Sequence, residues 1–382
     1  MTEPWFWRED SMAARAARMT LMPAAMLYDA GQLVRGALAR PVDPGVPVLC
    51  VGNATTGGVG KTPFALMLQR LLAADGIEAA FVSRGYGGSL TGPVRVTPQH
   101  TAQEVGDEPL LLASAAPTWI AKTRAGGVVA AAAAGAKLLI MDDGFQNPTV
   151  KKTLSFLLLG GDEHSLAPFP AGPLREPLAR AVARADAVVQ ASLPSPVYAR
   201  QSHIKPRFVR PSPARGRGAN ACVGRGEGPY AERSALVDAP SPCPLPQAGE
   251  GSASDAIALP VYGRGATPRF QTHTDISPSI APQPVIALCG IARPERFFHA
   301  LEEKGFTLAG RAAFPDHHAF STGDLADLRR RAKAAGAALI TTEKDLVRLT
   351  LAEREGIAVA RLTMSVDDPQ RLMRFICERI SL

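Results

Sequence analysis

The stretch 48–63, VLCVGNATTGGVGKTP, decides how the rest of the chain is read. Val48 to Val51 form a short apolar run that suits a buried strand; a glycine-rich turn follows, and Lys61 and Thr62 open a helix predicted from Thr62 to Ala74. In such a turn Gly57, Gly58 and Gly60 let backbone N–H groups face phosphate oxygens. Lys61 reaches the β and γ oxygens, and the Thr62 hydroxyl is suited to Mg²⁺. With Thr55, Thr56 and Val59, these residues make a phosphate-binding loop.

Downstream, AAFVS, a helix near Val128 to Ala134, AKLLIMDD, LSFLLLG and ADAVVQ continue the alternation of short apolar strands and helices. That alternation is the signature of a doubly wound α/β sheet. The apolar strand of AKLLIMDDGFQN delivers Asp142 and Asp143 at its end, where a carboxylate completes the Mg²⁺ shell begun by Thr62. One departure stands in the loop itself. The general GxxxxGKT pattern wants glycine where Thr55 lies, and the loop instead resembles the GGVGKT form of the deviant P-loop group, with Thr56 in place of that group's extra lysine.

The 382 residues favour about two domains. With 46% hydrophobic and 20% charged residues, the chain is neither fibrous nor wholly disordered. A net charge of +7 suits an anionic substrate, membrane or nucleic acid. Five scattered cysteines signal neither a zinc site nor a disulfide framework. No apolar run is long enough to span a bilayer, and Glu3, Glu9 and Asp10 argue against a cleaved signal peptide, so a cytoplasmic chain is expected.

Four segments follow. Residues 1–46 read as an amphipathic membrane-surface helix, with Met19, Met22, Met26, Ala30, Leu33, Val34 and Ala37 at helical spacing, Arg18, Asp29 and Gln32 opposite, and Trp5, Phe6 and Trp7 just before it. A helix packed on its own domain fits the same pattern. Residues 47–202 read as the P-loop domain, 203–283 as a Pro/Gly-rich flexible insertion and linker, and 284–382 as a second, smaller α/β domain. The middle stretch 203–255 carries eight Pro and seven Gly in 53 positions and too little apolar surface to offset its ordering entropy. Phe208 and Tyr230 are its only Phe, Tyr or Trp, so no nucleic-acid partner is expected, and no obligate protein partner is evident.

Phosphoryl transfer also needs a group to orient or deprotonate the acceptor. Asp107 in EVGDEP and a histidine in FPDHHAFS are the candidates, since a carboxylate bonded to an imidazole fixes its tautomer and raises its basicity. Chemistry alone does not separate His317 from His318.

The motifs VGNATTGGVGKTP, SRGYGG, VGDEP, DDGFQN, FPAGPLREP, CGIARPERFF, FPDHH and TTEKD, in that order, strongly resemble the tetraacyldisaccharide 4'-kinase (lipid A 4'-kinase) family. The resemblance spans about residues 5 to 200 and 284 to 382. It implies an ATP- and Mg²⁺-dependent kinase acting on the 4'-hydroxyl of a tetraacylated glucosamine disaccharide 1-phosphate, peripheral or monotopic on the cytoplasmic face of the inner membrane. It further implies Asp107 and His317 as the catalytic dyad, Asp142 and Asp143 as Mg²⁺ carboxylates, and Arg84, Arg124 and Arg175 as phosphate or substrate contacts. Asn147 departs from the histidine usual after DDGFQ in that family. Two rival readings keep the glycine-rich loop: a soluble P-loop synthetase or kinase, and a partitioning-type ATPase switch.

Overall fold

A computed structural model describes residues 3–56, 58–161, 163, 166–192 and 267–380. After a single 3₁₀ turn at Trp5–Trp7 come α1 (Met12–Leu38), β1 (Val48–Asn53), α2 (Lys61–Ala74), β2 (Ala80–Ser83), β3 (Val94–Arg95), α3 (Ala102–Val105), α4 (Asp107–Ala113), β4 (Thr118–Ile120), α5 (Arg124–Ala133) and β5 (Leu139–Asp142). Next are β6 (Leu154–Leu159), α6 (Leu178–Arg184), β7 (Ala187–Ser192), β8 (Arg269–Pro278), β9 (Pro284–Cys289), α7 (Pro294–Glu303) and β10 (Thr307–Ala313). The chain continues through α8 (Thr322–Ala334), β11 (Ala338–Thr342), α9 (Glu343–Leu346), β12 (Ile357–Val366) and α10 (Pro369–Ile380).

The twelve strands among the described residues join one sheet in the order β10-β9-β11-β12-β8-β7-β6-β1-β5-β2-β4-β3. It contains two parallel runs. From β8 to β4 every neighbour is parallel, and so is every neighbour from β10 to β12. The runs meet where β12 pairs antiparallel with β8, Met364 opposite Thr274. Parallel strands need both faces covered, and β1 shows this: Leu49 and Val51 pack with Phe64, Leu68 and Phe156 on one side, Val48 and Cys50 with Val82, Val128 and Met141 on the other. The first of these clusters also takes Met364, Leu372, Met373 and Ile376 from β12 and α10, so the two runs share one core.

One sequence expectation is corrected here. Residues 269–278 fell within the 203–283 insertion and linker, but they form β8, which bridges the two runs by pairing Val189 with Phe270 and Thr363 with Asp275. The signal was present in RFQTHTDISP, where Phe270, Thr272 and Ile276 are buried at even spacing. The Pro/Gly-rich stretch 203–255 lies outside the described residues.

Within the expected segment 1–46, helix α1 takes only Met12–Leu38, and its N-cap Ser11 accepts from the Ala14 amide. Its apolar side is only lightly used by the protein: Ala14 and Ala25 are buried, whereas Met19, Met26, Leu27, Leu33 and Val34 are exposed. Its polar groups do the anchoring. Asp29 takes a two-pronged ion pair from Arg180 of α6 at 2.6 and 2.7 Å, and Arg18 donates to the carbonyls of Phe6 and Glu9. Trp7 and Tyr28 each meet Phe169 edge-on, and the Trp7 indole N–H reaches the Pro170 carbonyl at 3.1 Å.

Candidate active site

Both parallel runs point their carboxyl ends at the site, the position where doubly wound sheets bind ligands. From β1 the chain enters the glycine-rich loop. Gly57 lies outside the described residues. Gly60 closes the loop at φ 83°, a left-handed conformation glycine adopts freely; a Cβ there would lie 2.8 Å from the Met364 methyl of β12. The two threonines that depart from the usual loop pattern have a structural use. Thr55 is buried and bridges to Leu174, and the Thr56 amide donates to the Pro173 carbonyl at 2.8 Å. Arg175 returns the tie through its amide to the Ala54 carbonyl. The loop FPAGPLREP thereby braces one limb of the phosphate loop.

At the start of α2, Lys61 Nζ sits 3.1 Å from Asn53 Oδ1 and 3.5 Å from Asp143 Oδ1, and the Thr62 hydroxyl donates to Asp142 Oδ2 at 3.2 Å. The two aspartates, adjacent in sequence, live in opposite environments. Asp142 ends β5, is fully buried, and its Oδ1 has no hydrogen-bond partner. Burial, together with the negative charges of Glu108 and Asp143, pushes its carboxyl well above the usual carboxylate range. Asp143 is turned aside by a left-handed backbone, φ 52°. Burial opposes its charge too, but Lys61 and the Arg175 fork, 2.7 Å from Oδ1, override that and leave it at about 2.

Arg124 opens α5 and is buried; its Nη2 donates to the Asp142 and Asp143 carbonyls at 3.2 and 2.7 Å. It therefore clamps the backbone that carries the aspartates. Arg84 lies exposed just beyond β2. Asn147 accepts from the Thr149 amide and hydroxyl, both at 2.8 Å, and so closes its own turn.

The Asp107–His317 pair is assembled from the two halves of the sequence. Asp107 is the first residue of α4, after Gly106 at φ 89°. His317 follows β10 in a loop where it too adopts a left-handed backbone, φ 60°, with its amide bonded to the Gly290 carbonyl. Its Nδ1 lies 3.0 Å from Asp107 Oδ2. Lys344 Nζ lies 3.4 Å from Nε2 and Arg348 Nη2 3.5 Å from Nδ1; a hydrogen on Nδ1 satisfies Asp107 and leaves the Nε2 lone pair towards Lys344. The neighbouring His318 is differently employed. It stacks on Phe314 at 4.7 Å, meets Phe320 edge-on, and contacts Asp324 through Nε2. Geometry separates two histidines that sequence chemistry left equivalent.

Sequence reasoning missed Arg348 and Lys344. Arg348 donates through Nε and Nη2 to Asp107 Oδ2 and is almost wholly buried. Burial opposes the charge of Asp107, but His317 and Arg348 together hold its carboxyl far below the usual range. TTEKDLVR did contain these residues, but only the fold brings α9 against α4. The two sides of the site are close: Glu108, next to Asp107, contributes to the shift of Asp142. The buried thiols Cys50 and Cys289 are pushed up to about 11 and about 12 by burial, so neither is a nucleophile at neutral pH. Among the described residues no cluster of three or more His, Cys, Asp or Glu is built to cage a metal.

Comparison with known proteins gives a consistent result. The profile of the tetraacyldisaccharide-1-P 4'-kinase family (LpxK) matches residues 17–239 and 242–381. The tetraacyldisaccharide 4'-kinase of Rhodospirillum centenum is 38% identical over 385 residues, covering 100% of this chain and 97% of its own. That of Methylobacterium nodulans is 42% identical over 360 residues, covering 91% and 90%. Among solved structures, LpxK from Aquifex aeolicus, crystallised in complex with ATP, aligns with a TM-score of 0.67 at 23% identity over 95% of this chain and 99% of that one, which shows a common fold.

Proposed function

The chain belongs to the tetraacyldisaccharide-1-P 4'-kinase family, and from that premise we propose that it moves the γ-phosphate of ATP to the 4'-hydroxyl of a tetraacylated glucosamine disaccharide 1-phosphate, a lipid A precursor. The observation that carries this reading is the pairing of two unlike centres at the carboxyl ends of one sheet. One is a phosphate loop with Thr62 bonded to Asp142. The other is an imidazole bonded to an ionised carboxylate.

The residues present fit Mg²⁺. An oxygen-only donor set with one buried carboxylate oxygen lacking a partner suits an ion that keeps several waters and binds through one or two carboxylates and the phosphates. Bound between Thr62 and Asp142, with Asp143 close by, the ion would draw charge from the β and γ oxygens. Lys61 adds a cation on the same side, and Gly58 to Thr62 supply backbone donors. In the transfer, the acceptor oxygen forms a bond to the γ-phosphorus while the bond to the β–γ bridging oxygen breaks. ADP leaves with that electron pair, and the hydroxyl proton passes to the Asp107–His317 dyad. Arg84, exposed beside this cleft, and Arg175 are suited to anionic groups of nucleotide or lipid, with Arg124 holding the backbone beneath them. The phosphate loop lies wholly within 47–202, whereas the dyad takes Asp107 from 47–202 and His317 from 284–382.

Membrane attachment belongs to α1. No helix among the described residues is long and apolar enough to cross a membrane. The exposed Met19, Met26, Leu27, Leu33 and Val34, with Trp5 beside them, instead suit a helix lying in the headgroup region on the cytoplasmic face of the inner membrane. The deciding experiment incubates the full-length protein with radiolabelled ATP, Mg²⁺ and the disaccharide 1-phosphate lipid. Label appearing at the 4' position is the expected result, and label released only as inorganic phosphate would refute the reading.

A further inference from the structure

Resting on the reading above, we propose that Arg348 is a positioning residue for phosphoryl transfer, holding Asp107 and the His317 loop in register through one buried guanidinium. Its donors are fully distributed. Nε, at 3.1 Å, and Nη2 both go to Asp107 Oδ2; Nη1 goes to the Gly290 carbonyl at 3.0 Å and to Asp345 Oδ1 at 2.6 Å. The Gly290 carbonyl is the same one that receives the His317 amide at 3.1 Å. Both members of the dyad are therefore referenced to one planar group: Asp107 directly, His317 through a shared carbonyl and a 3.5 Å contact from Arg348 Nη2 to its Nδ1.

The support beneath this group is rigid. Asp345 is fully buried, accepts the Thr342 hydroxyl through Oδ2 at 2.6 Å, and donates its own amide back to that hydroxyl. Gly290 leaves no room for a side chain; an added Cβ would lie 3.1 Å from the Pro315 carbonyl and 3.3 Å from both Asp345 Oδ1 and the His318 Cβ. The Arg348 side chain is 4% exposed, so it cannot itself reach a substrate. Its bonds and that of His317 all converge on Oδ2, and Oδ1 of Asp107 receives none of them. One carboxylate oxygen is thus locked to the protein while the other is left for the acceptor.

A lysine keeps the positive charge but not the fork, because a single ammonium cannot span Asp107, Asp345 and the Gly290 carbonyl at once. Arg348→Lys should lower kcat by about 10²-fold, the size expected when a reacting group is misplaced by about an ångström. KM for ATP should stay within about twofold, since no Arg348 atom touches the phosphate loop. Arg348→Gln would strand two buried carboxylates, so it is paired with Asp345→Asn to keep the protein folded. In that double variant the groups facing Asp107 are His317 and Asp316 from the β10–α8 loop, Lys344 from α9, and Glu108 on its own helix. With the nearest cation removed, the Asp107 carboxyl rises and the acid limb of kcat moves to higher pH.

The test compares wild type, Arg348→Lys, Arg348→Ala with and without millimolar methylguanidinium chloride, and Arg348→Gln/Asp345→Asn. The readouts are kcat, KM for ATP, ATP binding by calorimetry, and melting temperature. The expected result is a kcat loss at intact ATP affinity, partial recovery with methylguanidinium, and the upward shift of the acid limb in the double variant. A kcat within about threefold of wild type in folded Arg348→Lys would overturn the proposal. So would a loss that follows melting temperature and ATP affinity and is not rescued. Failure of the wild-type protein to label the lipid would instead refute the function, a separate outcome.

Discussion

Asp142 and Asp107 are both buried aspartates near the carboxyl ends of strands in the same sheet, yet they are prepared in opposite senses. Asp142 keeps an oxygen without a partner, and its burial, with Glu108 and Asp143 nearby, makes ionisation unfavourable. Asp107 is met by His317 and by the Arg348 fork, and its ionised form is favoured despite burial. The second carboxylate has its cation built in; on the proposed reading, the first is a socket for a cation that arrives with the nucleotide. A buried charge is costly unless paired, and this enzyme places the unpaired one where a ligand supplies the partner.

The comparison is broken most directly by neutralising each aspartate. Asp142→Asn should lower turnover by about 10³-fold while leaving the melting temperature unchanged or raised, because the amide removes a buried unpaired charge. Asp107→Asn should lower turnover by about 10²-fold or more and also destabilise the protein, since the buried Arg348 keeps only Asp345 as a counter-ion. Equal melting temperatures for the two variants would erase the distinction. Lys61→Ala, which removes the cation from the phosphate side, should cost at least about 10²-fold in turnover without altering the response to Asp107 substitution.

The pH dependence of stability sharpens the contrast. Asp142 has a raised folded-state pKa, so its destabilising contribution is present at neutral pH and disappears as pH falls through that value. Asp107 has a depressed one, so its contribution is present above about pH 4, the unfolded value, and is lost on further acidification. Asp142→Asn should therefore flatten the gain in stability between about pH 7 and 5, and Asp107→Asn the loss below about pH 4, both measured by urea titration. Saturating Mg²⁺ and nucleotide should abolish the first effect only.

Smaller effects come from the histidines and α1. His317→Ala should slow turnover by about tenfold to a hundredfold, and His318→Ala by only a few-fold, because His318 is stacked between Phe314 and Phe320. A larger loss in His318→Ala would reverse the assignment. Replacing Trp5, Met19, Met26, Leu27 and Leu33 with serine should release the protein from anionic vesicles in a sedimentation assay with ATP affinity unchanged, and retained sedimentation would exclude α1 as the anchor.

Much of this was legible in the sequence because local pattern and chemistry coincided. The strand before Gly52, the helix after Gly60 and the apolar run ending at Asp142 each announced themselves within a dozen residues. What stayed hidden depends on contacts distant in sequence. RFQTHTDISP reads as the end of a linker until β7 and β12 are found on either side of it. Arg348, in the turn just past α9, carries no local signal of its role until that turn meets α4. The choice between His317 and His318 turned on which ring faces Asp107, a matter of one left-handed residue.

The shared core also bears on how the protein is made. Phe64, Leu68 and Phe156 emerge from the ribosome long before Leu372, Met373 and Ile376, the residues that cover them. Until β12 and α10 are synthesised, the cluster that α2 makes with β1, β5 and β6 lacks Met364, Val366, Leu372, Met373 and Ile376, and the loop itself lacks the Met364 methyl that abuts Gly60. On the proposed reading, nucleotide-binding competence thus waits on β12 and α10, and a chain terminated before them would be a client for chaperones and proteases instead of a half-working enzyme.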